Sequence, residues 1–270
     1  MIETKGKVYI VGGGPGDPEL LTLKAKRIIE SADVVIFADS LVPPEIVEFA
    51  KEGALVVGSK EMNLDEIMEI EIRSVREGKT VARVQSGDPS IYGAILEQMR
   101  ILEQEGVDFE IIPGVSAAFA AAAVLRSELT VPEKSQTVIM TRMEGRVAMP
   151  EGEQLKDLAA HGCTMVIFLS ITRMTKVVRE LTSSGYTEDT PVAVVYRVGW
   201  PDELVIRGTL KDIANKVRAA KITLQALIIV GDAVDPGFDA TGAVSHLYSA
   251  DYTHRYRRSS GTQASGNGKG

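Results

Sequence analysis

The chain has 270 residues, 44% of them hydrophobic and 25% charged, a balance that suits a soluble chain with a real core and excludes an intrinsically disordered one. Its 30 Lys and Arg against 37 Asp and Glu leave a formal net charge of −7, which argues against a nucleic-acid partner. A single cysteine, Cys163, excludes an internal disulfide framework and any Cys-x-x-Cys metal site, and His161, His246 and His254 lack metal-ligand spacing, so no metal is expected.

The longest unbroken apolar run, residues 117 to 125, is far short of the roughly 20 residues needed to span a bilayer, and no signal-peptide core precedes the first strand. A cytoplasmic protein without a membrane partner is expected. The length allows about two domains.

In chain order, KVYIV (7–11) reads as a strand that leads into VGGGPGDPELLTLKA, Val11 to Ala25, and a helix from about Glu19. Glycines at a strand-to-helix turn let a ligand approach the backbone closely. The pattern nevertheless breaks the Rossmann rule G-x-G-x-x-G, because counting from Gly12 and Gly14 the last position is Asp17. Nor is it a P-loop, since Asp17-Pro18 stands where Lys-Ser/Thr should be. A phosphate cradle is disfavoured.

DVVIF (33–37) is a second strand, followed by a helix from about Glu45, and residues 55–57 form a third. Asn63 with Glu66 reads as a capping box before a helix that carries Leu64, Ile67, Met68, Ile72 and Val75 on one face. TVARVQ (80–85) leads through SGDPSIYG into a helix with Ile91, Ile95, Met99 and Leu102 on one stripe. DFEII (108–112) leads through PGVS into an Ala-rich helix after Ser116, whose alanines suit close packing. Strands alternating with helices imply an α/β domain with a mainly parallel sheet over residues 1–125. Residues 126–135, with Pro132 among turn-prone charged residues, read as a linker. The alternation resumes with strands at 137–142, 164–170, 191–196, 203–208 and 222–231 and helices near 153–160, 174–183 and 210–220. A second α/β domain is therefore expected over 136–240, its sheet parallel or mixed, and 241–270 reads as a flexible tail.

Gly-Asp-Pro occurs at 16–18 and 87–89, each after a strand and before a helix, and Pro113-Gly114 occupies the same place after a third strand. One such loop reads as turn punctuation with a helix-capping Asp. Three loops at the carboxyl edge of one sheet, where open α/β folds bind ligands, read as a site. Asp39, just past the second strand, fits either an acid at that edge or a turn residue. Lys60, Arg83, Arg142, Arg146, Arg173, Lys176 and Arg197 could grip carboxylates, although each alone reads as a solvated charge. Cys163 reads as core and His161 as a helix-end residue.

Taken in order, VGGGPGDPELLTLKA, FADSLV (37–42), SGDPSIYGAI (86–95), PGVSAAFAAAA (113–123), PVAVVYRVGWPDE (191–203) and QALIIVG (225–231) closely resemble the tetrapyrrole methyltransferases, the class III S-adenosylmethionine-dependent enzymes. Within them, ADSLV and TRMEGRVAMPEGEQL (141–155) look like the branch that methylates carbon 11 of precorrin-4, with or without cobalt. The resemblance implies two α/β domains facing a trough, a homodimer, and S-adenosylmethionine as cofactor with S-adenosylhomocysteine as product. By motif, the cofactor would touch Pro15, Ser86, Gly87, Asp88, Ile91, Ser116, Ala117, Leu169, Val198 and Ala226. The acid and base would be Asp39 and Lys60, the latter displaced by the extra Ser59, and Arg142 and Arg146 would hold the carboxylate arms of the tetrapyrrole. A nicotinamide oxidoreductase would need a third glycine where Asp17 stands. A non-catalytic tetrapyrrole carrier would keep the trough without turnover.

Overall fold

The computed structural model describes residues 6–234 together with Thr253 and Arg255. The expected tail over 241–270 therefore lies outside the described residues apart from those two, as does the end of the expected second domain.

Strands β1 (Val8–Gly12), β2 (Val34–Phe37), β3 (Leu55–Gly58), β4 (Val81–Gln85) and β5 (Phe109–Ile112) pair in parallel, in the order β3-β2-β4-β1-β5. Their side chains alternate between two cores. Val11, Val35, Ala82 and Val84 face helices α1 (Leu23–Ser31) and α2 (Pro44–Val47). Val8, Ile10, Val34, Ile36 and Val81 face α3 (Leu64–Arg76) and α4 (Ile95–Gln104). Because β1 lies between β4 and β5, the loops leaving these three strands emerge side by side at one edge.

The second sheet joins β6 (Val138–Arg142), β7 (Thr164–Phe168), β8 (Pro191–Tyr196), β9 (Leu204–Thr209) and β10 (Ala226–Val230) in the order β6-β7-β10-β8-β9. It is mixed. Only β6 and β7 run parallel, while β10 is antiparallel to both neighbours and β8–β9 is a hairpin. One face is covered by α6 (Leu155–Ala159), α7 (Met174–Thr182) and α8 (Ile213–Ala219). The other receives α5 (Ala117–Leu125), whose Ala118, Ala121 and Ala122 pack with Val166, Val195 and Ile229. Small side chains let this helix approach the sheet closely, so the last helix of the first half belongs to the core of the second.

Two helices begin later than the periodicity suggests. The helix expected near Glu19 starts at Leu23, because Asp17 Oδ1 accepts from the Glu19 N–H (2.8 Å) and caps a separate short 3-10 turn, Pro18–Leu20. Thr22 is the true N-cap, accepting from the Ala25 N–H at 3.1 Å. Ile91 is not on α4, since Tyr92 (φ 55°) and Ala94 (φ 50°) take left-handed conformations that hold the chain in a turn until Ile95. The helix expected from Glu45 is a single turn. The Asn63–Glu66 capping box is present in both directions, at 3.0 and 2.7 Å. Cys163 is buried and His161 is exposed. No helix among the described residues is long and apolar enough to cross a membrane.

Candidate active site

The loops after β1, β4 and β5 lock onto one another through backbone. Gly87 N–H donates to Gly14 O at 2.7 Å, and Gly14 N–H returns a bond to Gly87 O at 3.3 Å. A β-carbon on Gly114 would stand 2.2 Å from Gly87 O, and one on Gly12 2.5 Å from Gly114 N, so only glycine permits this approach. Asp88 completes the lock. Its Oδ2 accepts from the Gly114 N–H (3.0 Å), and its Oδ1 from the Ser90 N–H (2.9 Å) and hydroxyl. Burial alone would raise its pKa, but these bonds together outweigh it and hold the carboxyl below its ordinary value. Asp88 thus faces its own loops, where the sequence suggested a polar contact to a cofactor.

Beside these loops lies a cavity of about 580 Å³. Its opposite wall is the edge of the second sheet where β7 and β8 end and β10 begins. Pro15, Ser86, Gly87, Asp88, Ile91, Ser116, Ala117, Leu169, Val198 and Ala226, all ten positions expected at the cofactor, line it. Ile91 does so because the turn keeps it off α4. Leu169 (φ 51°) is 69% exposed at the end of β7, whereas Val198 is buried.

The two halves also touch around the cavity. Gln225 Nε2 donates to Ser40 O at 2.6 Å, and Trp200, in the β8–β9 loop, fits against Gly16, where a β-carbon would meet its Cδ1 at 2.3 Å. Arg197 stacks on the Trp200 ring at 3.9 Å and pairs with Asp202 at 3.1 Å. Sequence reasoning missed Trp200, Tyr92, Phe168 and Gln225 as lining residues; that the chain has a single tryptophan, in the loop after β8, was the available signal.

Asp39 and Lys60 do not line the cavity, although Ala38, Ser40 and Leu41 do. They meet each other despite the extra Ser59: the Lys60 N–H donates to Asp39 Oδ1 at 2.7 Å, and its Nζ stands 3.6 Å from Oδ2. Arg142 and Arg146 are also outside the lining. The Arg142 guanidinium donates to the carbonyls of Met143, Val147 and Ala148, yet its charge is felt by Tyr92, which does line the cavity. Arg146 is exposed in the loop after β6. Arg83, read as a solvated charge, is buried and donates from Nη1 to Ser59 Oγ at 3.0 Å. Near it Glu71 is fully buried with no hydrogen-bond partner among the described residues, and burial pushes its pKa up to about 7 against the pull of Arg83.

The cavity fits a nucleoside-sized ligand. Its volume lies in the range of small-molecule sites, roughly 300–1,000 Å³. Its walls are mostly apolar, and Gln85 and Arg197 each carry a buried side-chain nitrogen without a partner among the described residues. No cluster of three or more potential metal ligands occurs among the described residues.

A family model of tetrapyrrole (corrin/porphyrin) methylases matches residues 7–214. The cobalt-precorrin-4 C(11)-methyltransferase of Methanocaldococcus jannaschii is 54% identical over 258 residues, covering 96% of this chain and 98% of that protein. The X-ray structure of a cobalt-precorrin-4 methyltransferase of cobalamin biosynthesis superposes with a TM-score of 0.85 at 49% identity, over 87% of this chain and 99% of the other. Uroporphyrin-III C-methyltransferase from Thermus thermophilus, complexed with S-adenosylhomocysteine, gives a TM-score of 0.70 at 29% identity over 85% and 99%. With the fold, the three interlocked loops and these likenesses in agreement, the chain belongs to the tetrapyrrole methylases.

Proposed function

We propose that this protein transfers a methyl group from S-adenosylmethionine to carbon 11 of precorrin-4 or its cobalt complex in corrin synthesis. The observation that carries the reading is the convergence of the β1, β4 and β5 loops with the β7–β10–β8 edge on one apolar cavity. Likeness to a cobalt-precorrin-4 enzyme over nearly the whole of both chains supports the substrate.

When bound, S-adenosylmethionine would supply an electrophilic methyl on a sulfonium: an electron-rich ring carbon attacks the methyl carbon in line as its C–S bond breaks, and S-adenosylhomocysteine is the leaving group. The chain's work is positioning, which can lower a barrier by about 7–11 kcal/mol when reacting atoms are held about 3–3.5 Å apart. The interlocked loops and the apolar wall around Ile91, Leu169 and Val198 orient the cofactor. Asp39 is the group that takes or relays a proton as the methylated ring rearranges, its carboxylate held in position by the Lys60 N–H and ammonium. Arg142 and Arg146 offer positive charge to the acetate and propionate arms.

The homodimer reading is supported by apolar side chains left on the surface, Leu23 (78% exposed) and Phe119 (57%) among them. The single, buried cysteine suits a reducing cytoplasm. The test is incubation with methyl-labelled S-adenosylmethionine and precorrin-4, metal-free and cobalt-loaded in parallel, followed by NMR. A label at carbon 11 is expected, and a label elsewhere or none would overturn the reading.

A further inference from the structure

We infer that Arg197 is a carboxylate-binding residue of the cavity, an inference that rests on reading the cavity as the cofactor and substrate site. Several cations of the chain could serve a polycarboxylate, but most are already engaged. The Arg83 guanidinium bonds Ser59, that of Arg142 bonds backbone carbonyls, that of Arg173 bonds Glu144 O at 2.7 Å, and Lys60 faces Asp39. Arg197 is the one cationic side chain among the described residues that line the cavity.

Its surroundings hold it ready for an anion. The Trp200 ring, 3.9 Å from the guanidinium carbon, fixes the plane of the group. Asp202 takes only Nη1, at 3.1 Å, and that carboxylate is 53% exposed, so water competes for it. Nε has no partner among the described residues. The one carboxylate in the lining, Asp88, is committed to Ser90 and Gly114 and does not neutralise the arginine.

The backbone of Arg197 is held at φ 45°, with its N–H on Gln225 O (2.8 Å) and its carbonyl accepting from Trp200 (3.0 Å). A long β-carbon-bearing residue in the left-handed region is a strained arrangement that surrounding structure must enforce, and such strain gathers at ligand sites. A planar guanidinium fixed at an apolar cavity wall suits bidentate recognition of a carboxylate. Two carboxylates could meet it: the amino-acid end of the cofactor, or an acetate or propionate arm of the macrocycle.

Calorimetry on Arg197→Met and Arg197→Lys separates these sources, with S-adenosylhomocysteine, its decarboxylated analogue and uroporphyrin III as probes. If the cofactor carboxylate is held, Arg197→Met weakens S-adenosylhomocysteine about tenfold or more and leaves the decarboxylated analogue unchanged. If a macrocycle arm is held, uroporphyrin III weakens by a similar factor and S-adenosylhomocysteine does not. Arg197→Lys keeps the charge without the fork, is the variant to read should Arg197→Met fail to fold, and is expected to lose less. Wild-type protein that binds the probes, with folded variants matching it within twofold for all of them, overturns the role of Arg197 alone. Wild-type protein that binds neither S-adenosylhomocysteine nor uroporphyrin III overturns the cavity reading, and this inference with it.

Discussion

The Asp39 carboxylate occupies the space that a β-carbon on Gly58 would fill: such an atom would stand 2.7 Å from Asp39 Cγ and 2.8 Å from its Oδ2. The end of β3 therefore sets where the carboxylate can lie, and the Lys60 N–H two residues later fixes its other oxygen. Gly58→Ala is expected to push Asp39 aside without unfolding the chain, because the displaced atoms belong to a side chain. Turnover should fall while affinity for S-adenosylhomocysteine holds, and calorimetry beside a methyl-transfer assay checks both.

Asp39→Asn should lower turnover on the order of a hundredfold with cofactor affinity intact, since the amide keeps the shape and loses the basicity; general acid–base groups contribute about 10²–10⁴-fold. A loss of a few-fold would reduce Asp39 to a turn residue. Collapse of cofactor affinity would place it in the cofactor site.

Asp88→Asn removes the charge that three hydrogen bonds share, two from Ser90 within the β4 loop and one from Gly114 of the β5 loop. Affinity for S-adenosylhomocysteine should drop about tenfold through loosened loops, consistent with charge-assisted bonds worth about 1.5–3 kcal/mol. Because the folded pKa is depressed, the stabilisation is present above the ordinary carboxyl value and fades as pH falls through the lowered one. Unchanged affinity in the folded variant would dissociate the lock from binding.

Glu71 gives the opposite sign. Its pKa rises from 4.5 to about 7 on folding, so its contribution is fully present below 4.5 and is lost as pH climbs to about 7. The shift corresponds to at most about 3 kcal/mol. Glu71→Gln should flatten the stability profile between these limits and leave the variant more stable than wild type at pH 8. Urea unfolding across the range tests it, and parallel profiles would show that Glu71 is not the titrating group.

Ser135 ties the segment between the two sheets to the second sheet. Its hydroxyl donates to Thr137 O (3.0 Å) and accepts from the buried Thr164 N–H (2.9 Å), while Thr164 Oγ1 donates to Leu129 O at 2.8 Å. Ser135→Ala should cost about 1–3 kcal/mol in chemical denaturation by orphaning that N–H. A loss under about 0.5 kcal/mol would mean that water replaces the hydroxyl.

Local pattern carried most of the fold. Strand β8 begins and ends where its apolar run does, 191–196, and the Asn63–Glu66 pair announced α3. That the loops after β1, β4 and β5 share an edge was legible from the strand–helix alternation of a parallel sheet, whereas the ten individual positions, Leu169, Val198 and Ala226 of the mixed second sheet among them, came only from the motif resemblance. Ile91 was misplaced because apolar spacing alone does not register that Tyr92 and Ala94 turn left-handed. Glu71 lies on the same stripe as Ile67 and Met68, so its burial was visible in position but not in residue type. Trp200 could not be placed at all, since its contact with Gly16 joins residues 184 positions apart and exists only once the two sheets are assembled.

That contact gives the protein an optical property. With one tryptophan in 270 residues, all indole emission originates at the wall where Arg197 stacks and the two halves meet. Excited at the red edge, the chain reports the polarity and quenching of that single place, so filling the cavity should register in the spectrum of the unlabelled protein while events elsewhere on the surface stay dark.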